Sequence, residues 1–390
     1  MDSRRLVQLS IFSLALTLSA CATNEVTPPD NLLDAVVFDT SLFGERPSIE
    51  KEDDLFELRE AQRSAFLRYY EDPANQVTPP HERIYNYLLS TTADFDFHND
   101  TRTASAALDS SSGNCLSLAI LTTGLARLVG VETGYQLVDS TPVFERRGSV
   151  VSKGIHVRSI LYDPNWEPEH DEQAMSIRPG IRFDYFPDDT QRARLLGNLS
   201  PAAYVAMYYS NVAGEAIASD DIDSAFWYLL ESLEHNEDNA IALNMMAVVY
   251  RRAGDEAMAE RIYKRGIARA PDKVSFLRNY RYLLRQQGRH AEADTISKSL
   301  AKLDDQNPFN WVNAGRSALA DGEYSEAIRY FRQAIKIAPY LHEAHALMAV
   351  AHLRLGNKSR GERELRRALE NAERETTRSL YQAKLTMLDR

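Results

Sequence analysis

The sequence predicts a mixed α+β domain followed by an all-α repeat solenoid. Up to about residue 200, apolar residues at helical spacing are followed by segments that read as strands. Beyond that point glycines recur every 34 residues, at Gly254, Gly288, Gly322 and Gly356. With 44% hydrophobic and 26% charged residues, the composition is that of a globular protein, and the length suggests two domains.

The first residues form a signal-like segment. Arg4 and Arg5 precede an apolar run that ends at Leu18 and is too short to span a bilayer as a stable helix. The run leads into Ser19-Ala20-Cys21, which resembles the signal box of bacterial lipoproteins. We therefore predict a signal peptide over 1–20 and lipidation of Cys21.

The lipoprotein resemblance implies a location. In that family cleavage precedes the cysteine, and Ala22 in the next position favours the outer membrane, facing the periplasm. Residues 21–34, with Pro28-Pro29, are predicted to form a tether between the lipid anchor and the folded part of the chain. A conventional secretory signal with a chance cysteine is the alternative.

Charge and cysteine content restrict the function further. The formal net charge of -11 argues against nucleic-acid binding through bulk electrostatics. The chain has two cysteines, so lipidation of Cys21 would leave Cys115 without a disulfide partner inside the chain. Cys115 would then be a lone thiol in an exported protein.

The second half of the chain is predicted to be a helical array. Ala225, Ala259, Ala293 and Ala327 follow the same 34-residue step as the glycines, which is typical of tetratricopeptide repeats. We predict five repeats over 206–375 and a capping helix over 376–390. The repeats begin near Ala206, Ala240, Val274, Pro308 and His342.

Resemblance to tetratricopeptide proteins implies a concave groove that binds a protein or peptide partner. Its lining comes from the first helix of each repeat, and several of these positions are arginines, whose guanidinium groups match carboxylates. A solvated face with ordinary surface arginines is the alternative. The predicted groove residues are Asn244, Arg251, Arg278, Tyr282, Arg285 and Arg316.

Residues 35–200 contain a candidate nucleophile. Asn114 is a suitable helix N-cap, so Cys115 is predicted to be the first residue of an apolar helix that ends at Gly130. Free amide donors and the positive end of the helix dipole favour a thiolate there. A small, buried structural cysteine is the alternative.

Strands are predicted after this helix, at 135–138, 152–162 and 180–185. At this point the segment from Arg102 to Asp188 resembles the transglutaminase-like, papain-related cysteine enzymes. In that family a cysteine at a helix start is followed by a histidine on one strand and an aspartate on the next. The resemblance implies an α+β transglutaminase-like fold for 35–200.

The same resemblance implies catalytic roles for Cys115 as nucleophile, His156 as proton acceptor and donor, and Asp184 as the group that orients the imidazole. Asp163 competes for the third role. Seven residues of strand would place Asp163 about 23 Å from His156 and on the opposite face, so Asp184 is preferred. The aromatic and acidic residues that usually follow the family's histidine are replaced by Val157-Arg158-Ser159.

No metal site and no cofactor is predicted. His342, His345 and His352 are interpreted as surface residues of the repeats, because no carboxylate cluster completes a ligand set. The function predicted is an envelope lipoprotein with a cysteine peptidase, amidase or acyl-transfer domain and a protein-recruiting array. The alternative is a non-catalytic adaptor that uses both domains for binding.

Overall fold

The computed structural model describes residues 37–98, 100–147, 150–167, 178–185, 194–300, 303, 307–372 and 374–388. The chain divides into two compact units, Met1–Phe38 and Asp39–Arg390, and only two residues of the first are described. The predicted signal peptide, Cys21 and the tether therefore lie outside the described residues. No helix within the described residues is long and apolar enough to cross a membrane.

Five helices and two short strands make up the described chain from Glu52 to Leu128. The elements are α1 (Glu52–Phe56), α2 (Glu60–Tyr70), α3 (Pro80–Thr91), β1 (Asp96–Phe97), α4 (Ala104–Ser110), β2 (Ser112–Gly113) and α5 (Cys115–Leu128). Helix α4 was not predicted; its N-cap Thr103 accepts a hydrogen bond from the Ala106 amide through its side chain. Helix α5 is buried along most of its length, because its residues are apolar or small on all sides.

A four-stranded antiparallel sheet follows. Its strands are β3 (Thr133–Arg147), β4 (Val150–Tyr162), β5 (Gly180–Phe183) and β6 (Arg194–Leu199), in the order β5-β4-β3-β6. Strand β6 was not predicted, because its apolar residues do not alternate with polar ones. Leu195 and Leu196 are adjacent, and both are about half exposed on this edge strand.

The rest of the chain consists of helix pairs. The pairs are α6 (Pro201–Ala218) with α7 (Ile222–His235), α8 (Ala240–Arg252) with α9 (Glu256–Arg269), α10 (Val274–Gln286) with α11 (His290–Leu300), α12 (Pro308–Ala320) with α13 (Tyr324–Ile337), and α14 (His342–Arg354) with α15 (Lys358–Glu370); α16 (Glu375–Leu388) follows. In four of the five pairs, the first helix begins at the residue predicted for the start of the repeat. Only α6 begins earlier, with Pro201 after the cap Ser200.

The periodic glycines lie at the turn inside each pair. Gly254, Gly288, Gly322 and Gly356 have φ between +73° and +94°, a conformation that costs glycine little. In the first pair Asp220 occupies the same turn with φ 66°. The backbone turn is thus repeated even where the glycine that reveals it is missing.

The first repeat helix completes the core of the α+β part. Tyr204 on α6 stacks on Tyr135 of β3 with ring centroids 3.8 Å apart, and both belong to the same buried cluster as α5. Near the N-terminus, Phe43 stacks on Phe226 of α7 at 3.9 Å. The residues on either side of the predicted domain border at 200 therefore share one core.

Candidate active site

Cys115 is the first residue of α5, as predicted. The Asn114 side chain accepts a hydrogen bond from the Ser117 amide at 2.9 Å, and the Ser117 hydroxyl accepts one from the Asn114 amide at 3.3 Å. Gly113 has φ +149°, and a Cβ atom there would lie 2.8 Å from the Ser117 side chain. Glycine is therefore required immediately before the cap, and this tight turn holds Cys115 at the helix start.

The cap is also tied to the repeat array. Asn114 Nδ2 donates to Thr101 Oγ1 at 2.8 Å, and the Thr101 amide donates to Glu215 Oε1 on α6, also at 2.8 Å. Neither Thr101 nor Glu215 was predicted to lie near Cys115. They are separated by 114 residues of sequence, and no local pattern could have revealed this contact.

His156 and Asp184 are brought together by strand pairing. His156 lies on β4, and Asp184 follows the last residue of β5, which pairs antiparallel with β4 at Ser159↔Phe183. The His156 Nε2 and Asp184 Oδ1 atoms are 2.7 Å apart. His156 is buried at 6% exposure and the Asp184 side chain is 17% exposed, so water screens this pair little.

Cys115 completes this arrangement. Its thiol is close enough to the His156 side chain to raise the pKa of the imidazole through hydrogen bonding and charge. The structure thus places the three residues in the order thiol, imidazole, carboxylate.

The charge balance of the site favours a protonated imidazole. Burial by itself would lower the pKa of His156, but hydrogen bonds to Asp184 and Cys115, together with their negative charges, outweigh it and raise the pKa to about 9. A histidine that is charged at neutral pH can stabilise a neighbouring thiolate. The arrangement is therefore suited to a thiolate–imidazolium pair.

Asp163 has a different neighbour. It lies one residue beyond the end of β4, and its Oδ1 atom is 3.8 Å from Nδ1 of the buried His81 on α3. His156 therefore pairs with Asp184 and not with Asp163, as the strand geometry led us to expect.

The predicted groove residues differ in their surroundings. Asn244 accepts a hydrogen bond from Asn279 at 3.0 Å, and the Arg251 guanidinium lies 4.9 Å from the centre of the Tyr282 ring. Arg316 forms an ion pair with Glu343, so its charge is already balanced within the array.

Helix α10 carries a row of three arginines. Arg278, Arg281 and Arg285 are spaced three and four residues apart, which places them on one face. Burial, followed by the charge of Arg281, lowers the pKa of Arg278 to about 10, and burial and the charge of Arg285 lower that of Arg281. Arg281 was not among the predicted groove residues, although the helical spacing could have identified it.

The interpretation of the repeat histidines as surface residues was wrong for two of them. His345 and His352 are buried, at 3% and 5% exposure, on the face of α14 that packs against α15. His345 Nδ1 lies 2.8 Å from Glu364 Oε2, and its Nε2 lies 3.0 Å from the Pro339 carbonyl oxygen. Within the described ranges, no cluster of three or more His, Cys, Asp or Glu side chains could hold a metal ion.

Comparison with known proteins identifies the repeats. Two family models of the tetratricopeptide repeat match residues 242–275 and 318–388. The C-terminal region is an all-helical tetratricopeptide solenoid, preceded by a part that contains both helices and strands. A search of the curated proteins found no match.

Three matched solved structures each cover less than half of this chain. A structure from a functional characterisation of Pseudomonas aeruginosa pilF is 17% identical, with 48% of this chain and 94% of that chain covered and a TM-score of 0.34. YrrB, described as a TPR protein with an unusual peptide-binding site, is 16% identical over 46% of this chain and 92% of that chain, with a TM-score of 0.26. A chain of the APC/C hetero-tetramer Cut9-Hcn1 is 17% identical, with a TM-score of 0.32. The match covers 47% of this chain and 36% of that chain.

Proposed function

We propose that this protein is a cysteine enzyme of the transglutaminase-like type, which transfers an acyl group through Cys115 and recruits a protein partner through its repeats. The observation that carries the proposal is the chain of contacts from the Cys115 thiol through His156 to Asp184. It joins a helix start, a central strand and the end of a neighbouring strand, which is the order found in that family.

The proposed reaction has two steps. The Cys115 thiolate attacks a carbonyl carbon, forming a C–S bond, and the imidazolium of His156 protonates the amine as the C–N bond breaks. A water molecule or a primary amine then attacks the thioester and loses its proton to His156, and the C–S bond breaks to restore the thiolate. Asp184 keeps the imidazole in the tautomer that faces the thiol.

The start of α5 can also stabilise the transition state. An α-helix leaves its first amides without intrahelical acceptors, and the Asn114 side chain takes the amide of Ser117. The amides of Cys115 and Leu116 are then the donors of the first turn that can face a developing oxyanion. This would place nucleophile and oxyanion donors on the same helix end.

The test is capture of the acyl group. The protein is incubated with a panel of glutamine-containing peptides and peptide p-nitroanilides, with hydroxylamine as the acceptor amine. We expect an acyl adduct on Cys115 by intact-protein mass spectrometry, and a peptide hydroxamate as product, both absent in Cys115→Ala. A product that forms equally in Cys115→Ala would contradict the proposal.

The repeats support a role in protein interaction, and the arginines of α10 support a negatively charged partner. Arg281 and Arg285 lie beside Arg278 on a face that includes the half-exposed Tyr282, in a chain whose net charge is -11. We propose that this groove binds an acidic peptide segment, whose carboxylates match the guanidinium groups.

Binding of a fluorescein-labelled hexaglutamate peptide, followed by fluorescence anisotropy, tests the groove. The double variant Arg281→Gln/Arg285→Gln is expected to weaken binding at least about ten-fold, since hydrogen bonds to charged groups contribute about 1.5–3 kcal/mol each. The matched control is Arg261→Gln/Arg269→Gln on α9, which removes the same charge from exposed positions. An equal loss in both variants would mean that net charge, and not the groove, attracts the peptide.

The proposal includes attachment to the outer membrane through a lipidated Cys21, facing the periplasm. The signal-like segment before Cys21 supports it. Metabolic labelling with a palmitate analogue, compared between the native chain and Cys21→Ser, tests this part independently of the enzyme chemistry.

A further inference from the structure

Tyr185 makes a contact that the proposed reaction does not use. It follows Asp184 directly in the chain, and adjacent residues of an extended segment project to opposite sides. Asp184 reaches His156, whereas Tyr185 enters the core and is only 3% exposed. Its hydroxyl lies 2.8 Å from Thr122 Oγ1 and 2.8 Å from Ser159 Oγ.

These two partners belong to the elements that carry the other members of the site. Thr122 lies on α5, two turns after Cys115, and Ser159 lies on β4, three residues after His156. The Tyr185 hydroxyl therefore connects the helix of the thiol, the strand of the imidazole and the segment of the carboxylate.

The hydrogen bonds at this junction are mutually compatible. The Thr122 hydroxyl donates to the Leu118 carbonyl at 2.8 Å, so it accepts the proton of Tyr185. The Tyr185 hydroxyl is also the donor toward Ser159 Oγ, so the two oxygens share its proton. Burial raises the pKa of Tyr185, so that the hydroxyl stays protonated and keeps its role as a donor.

We infer that Tyr185 is a positioning residue, whose hydroxyl sets the His156–Asp184 pair relative to Cys115. This inference rests on the proposed function for its importance to catalysis. The Tyr185 ring packs against Phe183 at 4.7 Å and is part of the buried cluster, whereas the hydroxyl makes the polar contacts with Thr122 and Ser159. Substitution with phenylalanine therefore separates the two contributions.

The experiment compares Tyr185→Phe with Tyr209→Phe. Tyr209 belongs to the same buried cluster, and its hydroxyl donates to the Glu50 carbonyl at 2.8 Å, so the control loses a hydrogen bond away from Cys115. We expect Tyr185→Phe to slow alkylation of Cys115 by iodoacetamide about ten-fold, because small misplacements of catalytic groups are costly. We also expect a lower His156 pKa by NMR titration, while Tyr209→Phe leaves both unchanged.

A loss of melting temperature in both variants, with alkylation and the His156 titration unchanged in Tyr185→Phe, would overturn the inference. If Tyr185→Phe does not fold, Ser159→Ala removes one of its two contacts and is tested in the same way. A wild-type thiol that reacts no faster than free cysteine would instead contradict the proposed function. The NMR titration of His156 would still decide whether Tyr185 positions the pair.

Discussion

Alkylation of Cys115 by iodoacetamide at neutral pH is expected to slow on the order of 10²-fold in Asp184→Asn and in His156→Ala. In the first variant the carboxylate that lies 2.7 Å from the imidazole becomes a neutral amide, so the charge that favours the protonated imidazole is lost. In the second, the partner of the thiolate is removed. Intact-protein mass spectrometry over time measures the rate for the full chain.

Asp163→Asn is the matched control, because Asp163 is the other aspartate near β4 and lies beside His81. It should leave the alkylation rate within about two-fold of the native value, since no contact links Asp163 to His156 in the described part of the chain. A native rate no higher than that of free cysteine, or an equal loss in Asp163→Asn, would remove the support for a nucleophilic Cys115.

The Asp184→Asn variant also makes a prediction about stability and pH. The pKa of His156 in the folded protein, about 9, lies above the ordinary value of 6.5. The stabilisation is therefore fully present below pH 6.5 and is lost as the pH rises through about 9. We expect the difference in melting temperature between the native chain and Asp184→Asn to be largest near pH 6 and to shrink above pH 9.

Replacing Phe226 with alanine is expected to lower the free energy of unfolding by about 3–5 kcal/mol. The Phe226 side chain is fully buried, stacks on Phe43 at 3.9 Å and meets the edge of Tyr250 at 5.9 Å. Its loss would leave a cavity between the repeats and the segment that contains Phe43. Urea unfolding measures the loss, and faster tryptic cleavage after Lys51 would report release of that segment.

Leu380→Ala provides the comparison, because Leu380 is 51% exposed on α16. Its effect is expected to stay within about 0.5 kcal/mol, as for most surface substitutions. If Phe226→Ala cost less than about 1 kcal/mol, the contact between Phe43 and the first repeats would not contribute to folding as the packing implies.

The features that depend on local spacing could be predicted in detail. The 34-residue period located the starts of α8, α10, α12 and α14, because each repeat buries its small and apolar residues against the next in the same way. The cap at Asn114 and the helix end before Gly130 follow from hydrogen bonding and backbone conformation within a few residues. Such features need no knowledge of distant parts of the chain.

Elements with weak local patterns were missed or misjudged. Strand β6 lies at the edge of the sheet in the described part of the chain and lacks alternation. The burial of His345 depends on the approach of α15, which brings Glu364 to the imidazole. In both cases the environment comes from packing between elements and not from the residue's own neighbours in sequence.

The sequence by itself determined the helical array, the capped helix that starts at Cys115, and a short set of candidate partners for the thiol. Only the tertiary structure decided that Asp184 meets His156, that Thr122 and Ser159 meet at Tyr185, and that α6 completes the core beside the sheet. The physical reason is the range of the interactions. A cap acts within one turn and a repeat recurs visibly in the sequence, whereas these contacts join residues 26 to 63 positions apart and depend on strand register and helix packing.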